Sequence, residues 1–163
     1  MFKPITDLHA LTAEDALYVE FSMNGARTWE EYRYAPSAPP TMSGTAARDF
    51  LTGAQHSGGR VEYADGAAII RRALPSGKDS LHVWRLSLIA WPALGCTVTM
   101  RRHGAPEHLS DTTGAVVSTP ARGDTRLTVD GTPWTFNIPR EEFPHLYTWE
   151  YADESGAHSG PRR

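Results

Sequence analysis

The chain has 163 residues, 40% hydrophobic and 21% charged, the balance of a globular chain with a real core rather than of a disordered one. Its net charge of −3 argues against a general nucleic-acid or other polyanion binder, and its one cysteine, Cys96, leaves no pair for an intrachain disulfide. The amino terminus lacks the pattern of a signal peptide, and no stretch approaches the roughly 20 apolar residues of a membrane helix.

Residues 1–11 show no clear period, and Thr12-Ala13-Glu14-Asp15 reads as a capping box or turn. Leu17, Val19, Phe21 and Met23 then alternate with Tyr18, Glu20 and Ser22, the period of a half-buried strand. The next stretch is Ser22-Met23-Asn24-Gly25-Ala26-Arg27-Thr28-Trp29. It resembles the Asp-box hairpin motif of sialidase-type propellers, Ser-x-Asp-x-Gly-x-Thr-Trp, with Asn24 at the aspartate and Ala26 at the glycine. The motif occurs once, so the resemblance implies a turn and a buried Trp29 rather than a propeller or sialidase chemistry. A tight Asn24-Gly25 turn would set Glu20 opposite Trp29 and mix the faces, so a longer loop is expected.

Thr28 to Tyr34 continues as strand, with Trp29 on one side and Tyr32 and Tyr34 on the other. Pro36 to Pro40 is a stiff connector. Ser43 caps a short helix striped by Ala46, Ala47, Phe50 and Leu51 and closed by Gly53, and 54–59 is loop. Asp65-Gly66 signals a type I′ hairpin that sets Val61 beside Ile70 and Tyr63 beside Ala68. Pro75 to Lys78 turns the chain into Leu81–Trp91, the longest apolar run, where Trp84, Leu86, Leu88 and Ala90 share a face. This run is expected at the centre of a sheet, beside the 61–70 ribbon and hairpinned through Pro92 to Cys96–Arg102.

Residues 103–113 read as a polar loop and Ala115-Val116-Val117 as a short strand. Asp130-Gly131 marks a third hairpin, with Leu127 beside Trp134 and Thr125 beside Phe136. Leu146 to Tyr151 reads as a last strand with Tyr147, Trp149 and Tyr151 on one face. The expected fold is therefore mostly β, an antiparallel sandwich or partly open barrel of about nine strands, with one short helix near 43–53. It forms a single β-rich domain over 1–151 with a polar carboxy-terminal tail over 152–163.

No nucleophile elbow, phosphate loop or dinucleotide fingerprint occurs. His103, Glu107, His108 and Asp111 share one loop at a spacing that fits no standard metal pattern, and Cys96 reads as an inert core thiol. No cofactor or metal is expected, and the reading leans away from an enzyme. The surplus of aromatic residues points instead to an interface, with Trp29, Tyr32, Tyr34, Tyr147, Trp149 and Tyr151 as candidates.

The leading expectation is a non-catalytic structural or protein–protein interaction module. It would be a component of a larger, phage-like assembly, with other protein subunits as partners and no membrane or general nucleic-acid contact. Its place would be the cytoplasm or an assembled particle. One alternative is a small enzyme or ligand-binding barrel with a pocket formed by Glu62, His82 and Arg85. The other is a carbohydrate-binding module that uses exposed aromatic rings.

Overall fold

The computed structural model of the chain describes residues 2–33, 37–73, 81–103, 112–117, 128, 143–153 and 156–159. They form eleven strands, two α-helices and a 3-10 turn at Leu8–Ala10. The strands make two antiparallel sheets, so the chain is mostly β with one longer helix, as its periodicity implies. It divides into two compact units, Lys3–Leu88 and Met1–Phe2 with Ile89–Arg163.

The first sheet comprises β1 (Phe2–Lys3), β2 (Ala16–Ser22), β3 (Glu30–Glu31), β4 (Thr41–Ser43), β5 (Arg60–Ala64), β6 (Ala67–Ala73) and β7 (Leu81–Ile89). Their order is β3-β2-β7-β6-β5, with β1 against β7 and β4 against β2. The apolar run is thus central. Val19 and Ala68 flank Leu86, while Phe21 and Ile70 flank Trp84. The expected hairpin to Cys96–Arg102 does not form, because those residues pair in the other sheet. Leu17, Val19 and Phe21 continue the apolar face of β7 across the strand boundary, and this match decides the neighbour where closeness in the chain does not.

Helix α1 (Gly44–His56) lies on that face. The Ser43 side chain accepts from the Ala46 amide at 3.1 Å, as its capping role requires. The helix runs through Gly53, where the expected stop fails. Ala54 extends the buried stripe of Ala47 and Leu51 by another turn, and packing overrides the weak helix preference of glycine. Termination comes at Gly58, whose φ is +82°, with the Ser57 and Gly59 amides donating to the Ala54 carbonyl. Leu17, Val19, Ala68, Ile70, Trp84 and Leu86 close the core against Leu8, Leu11, Met42, Ala47 and Leu51. Each large aliphatic side chain so buried stabilises the fold by roughly 1.5–3 kcal/mol.

Asp65 and Gly66 have φ of 53° and 78°, the left-handed pair of a type I′ turn. The register they set, Val61↔Ile70 and Tyr63↔Ala68, is the one expected.

The second sheet has order β11-β10-β8-β9 and is formed by β8 (Thr97–Arg102), β9 (Thr112–Ala115), β10 (Tyr147–Asp153) and β11 (Gly156–Ser159). A short helix, α2 (Phe143–Leu146), leads into β10. Trp149 pairs with Met100 and Tyr151 with Val98. Two expectations change here. Thr112 and Thr113 belong to a strand rather than to the polar loop. Ala152 and Asp153, and Gly156–Ser159 after them, are also strand, because β10 supplies a pairing edge for β11. The turn at Pro75–Lys78, the hairpin at Asp130–Gly131, Trp134, Phe136, Glu107, His108 and Asp111 lie outside the described residues.

Candidate interaction edge

Of the nine residues that the sequence singles out, the eight described ones fall into separate places. Trp149 and Tyr151 are buried in their own unit. Trp149 stacks on Trp91 with centroids 5.7 Å apart, and Phe143 stacks on half-buried Tyr147 at 5.2 Å. These rings build a core, so Trp149 and Tyr151 present no free surface. Their strand alternation is visible in the sequence, but the depth of the layer over them is not. Tyr32 is half-buried in the first unit, 5.8 Å from Phe21 and 6.4 Å from Trp84. Tyr34 lies outside the described residues.

His82 shares the helix-covered face with Trp84. Its ring meets Phe21 at 5.2 Å and Trp84 at 6.0 Å, edge to face. Glu62 and Arg85 occupy the other face of the sheet, on strands separated by β6. The three therefore do not converge on one pocket. Glu62 is exposed at the edge, and its carboxylate accepts from the Arg71 Nε at 2.9 Å.

The face that carries Arg85 is organised by the 22–29 loop. Ser22 is only 2% exposed. Its hydroxyl donates to Asn24 Oδ1 at 2.8 Å and accepts from the Ala26 amide at 2.9 Å. Asn24 Oδ1 also accepts from the Arg27 and Thr28 amides at 3.1 and 3.0 Å, and Asn24 Nδ2 donates to Thr28 Oγ1 at 2.8 Å. Asn24 thus braces the loop from the position where the Asp-box pattern carries aspartate. The flanking register, Glu20↔Glu31 and Phe21↔Glu30, is that of the longer loop.

The loop delivers Trp29, half-buried, onto Val83, Ile69 and Ala67, with the Arg85 guanidinium 4.1 Å from its ring centroid. Arg85 also pairs with Glu20. Tyr18 donates to Glu31 Oε1 at 2.7 Å, and Arg33 pairs with Glu31 at 3.2 Å. Glu20 and Glu31 stand directly opposite, and each holds a cation. The network compensates its charges within the chain and takes one face of Trp29.

The open feature of this unit is β5. Four of its five residues, Arg60, Glu62, Tyr63 and Ala64, are exposed, and Val61 is half-buried. The two-residue turn makes Ala64↔Ala67 a hydrogen-bonded pair, and antiparallel alternation makes Glu62↔Ile69 and Arg60↔Arg71 the next two. The N–H and C=O groups of Val61 and Tyr63 therefore point away from β6, with no partner strand beyond them among the described residues. The Tyr63 hydroxyl is occupied, accepting from the Leu8 amide at 3.0 Å.

Arg60 faces Arg71 across the ladder, a like-charge pair. Glu62 serves Arg71, which leaves Arg60 without an acidic partner among the described residues. Neither Arg60, Val61 nor Tyr63 is singled out by the sequence as a site. The signal is there all the same, in charges at alternate positions of the strand before an Asp-Gly turn, a pattern typical of edges.

Among the described residues no group of His, Cys, Asp and Glu is gathered as a metal site, and no helix is long and apolar enough to cross a membrane. No protein-family model, curated protein or solved structure matches the chain.

Proposed function

We propose that this chain is a protein-association module, a subunit of a larger assembly, that engages its partner by strand addition at β5. The observation that carries this reading is the open edge itself. A five-residue strand with outward amides and carbonyls at Val61 and Tyr63 is a template for another strand. The backbone supplies the attraction, and Arg60 and Glu62 beside it supply selectivity.

The competing readings have less behind them. A sugar-stacking platform needs coplanar exposed rings, and Trp149 and Tyr151 are in a core while Arg85 occupies one face of Trp29. A pocket at His82 needs converging polar groups, and Glu62 and Arg85 lie on the opposite face of the sheet.

The test is photo-crosslinking in the native cell, with p-benzoylphenylalanine at exposed position 64 on the edge and at exposed position 55 on the helix as control. Protein adducts at 64 and not at 55, mapped by mass spectrometry, are expected. Equal labelling at both positions, or none at 64, sinks the proposal.

A further inference from the structure

From the charge pattern of this edge we infer that its occupant is a second copy of β5, paired antiparallel about a two-fold axis at Val61. This rests on the association reading above and names the partner. A symmetric dimer needs a self-complementary patch, and on a strand edge the two-fold axis can fall only at particular residues.

With the axis at Val61, the two Val61 residues exchange both backbone hydrogen bonds, because their amides and carbonyls already face outward. The neighbours on the opposite sheet face then meet as Arg60 against Glu62 of the second copy, and Glu62 against its Arg60. These are non-hydrogen-bonded pairs, in which side chains approach closest. Tyr63 falls opposite Gly59, whose amide is already held by the Ala54 carbonyl at 2.7 Å, so the paired stretch is confined to positions 60–62.

The other registers are worse. An axis at Glu62 sets the two Glu62 carboxylates directly opposite each other and leaves Arg60 against Ala64. One at Tyr63 sets Glu62 against Ala64 and pairs no charges. The Val61 register is the one that gives Arg60 an anion. Within a single chain Arg60 stands opposite Arg71, and Glu62 is the only acid of the strand. The second copy supplies what the described residues of one chain do not. Because the axis is perpendicular to the sheet, all four charged side chains lie on one face and the Val61 pair on the other. The edge is short, so the dimer is weak and depends on concentration.

The experiment is sedimentation of the full chain from micromolar to millimolar concentration, with charge variants at 60 and 62. Wild type is expected to dimerise. Arg60→Glu sets a new carboxylate against Glu62 of the second copy and weakens self-association at least about tenfold. The same change puts an acid opposite Arg71 within the chain, so the variant unfolds no more easily than wild type. Loss of fold is thereby separated from loss of dimer.

Glu62→Arg also fails to self-associate, but a mixture of the two single variants forms the heterodimer. In it the new acid at position 60 meets the new base at position 62, and the native Glu62 meets the native Arg60. The double exchange Arg60→Glu with Glu62→Arg restores self-association. A wild-type chain that stays monomeric, a dimer indifferent to Arg60→Glu, or single variants that do not complement each other each overturns the inference. If position 64 still crosslinks to a different protein while the chain is monomeric, the second copy is excluded and the association reading stands. If neither occurs, both fall.

Discussion

Ala26 has a φ of +74° at the position where the Asp-box pattern carries glycine. A Cβ is strained there, and the left-handed conformation costs a non-glycine residue roughly 1–2 kcal/mol. Ala26→Gly is therefore expected to stabilise the protein by about 1 kcal/mol, raising Tm by roughly 2–4 °C in a thermal melt. A lower Tm would show that the loop holds another conformation. Ser22 carries the opposite sign. Its buried hydroxyl holds the Asn24 side chain and the Ala26 amide, and Ser22→Ala leaves both without that partner. The cost expected in urea denaturation is about 1–3 kcal/mol, and a change within error would remove Ser22 as the brace. This loop was legible because its bonds are local, with Ser22, Asn24 and Thr28 within six residues of one another. The Arg85–Glu20 pair and its cover by Trp29 were not. They depend on which strand lies beside β7, and neither residue reveals that alone.

Helix α1 was legible at one end only. Ser43 announces the cap, whereas the stop at Gly58 rather than Gly53 depends on the space around each glycine. Nothing lies within 4 Å of a Cβ built on Gly53. Gly53→Ala is expected to stabilise the helix by about 0.5–1 kcal/mol. Gly44 differs, because an added Cβ there runs into the Thr12 carbonyl oxygen and into Leu11 Cβ at 2.9 Å. Backbone cannot swing aside as a side-chain tip can, so Gly44→Ala is expected to destabilise by about 1–3 kcal/mol. Chemical denaturation of the two alanine variants in parallel checks the pair, and a common sign would contradict this packing. The β5–β6 hairpin is the most sequence-determined element of all. Asp65-Gly66 dictates the turn, the turn dictates the register, and the register dictates which amides of β5 face outward.

Across the first unit, β7 is paired on both edges and carries Val83 and Leu86, fully buried, on opposite faces. Its amides, with those of β2, are expected to exchange hydrogen slowest. Those of Val61 and Tyr63 on the open edge should exchange fastest in the sheet, and that of Val61 should slow as concentration rises. Edge amides that are protected in dilute solution would mean that something already covers β5. What the sequence determined by itself was whatever arises within a few residues. The antiparallel β class, the cap of α1, the type I′ turn, the bracing of the 22–29 loop and the alternation that put Trp149 on an apolar face are of this kind, because each follows from backbone geometry and side-chain period. Tertiary structure alone decided that β2 rather than Thr97–Arg102 flanks β7, that Trp149 and Tyr151 are interior, and that Glu62 and His82 point to opposite faces. The edge position of β5 is marked in the sequence by its alternating charges, and the fold leaves it without a further strand among the described residues. Strand neighbours are selected by matching apolar faces between segments far apart in the chain, and that match exists only once the sheet has assembled.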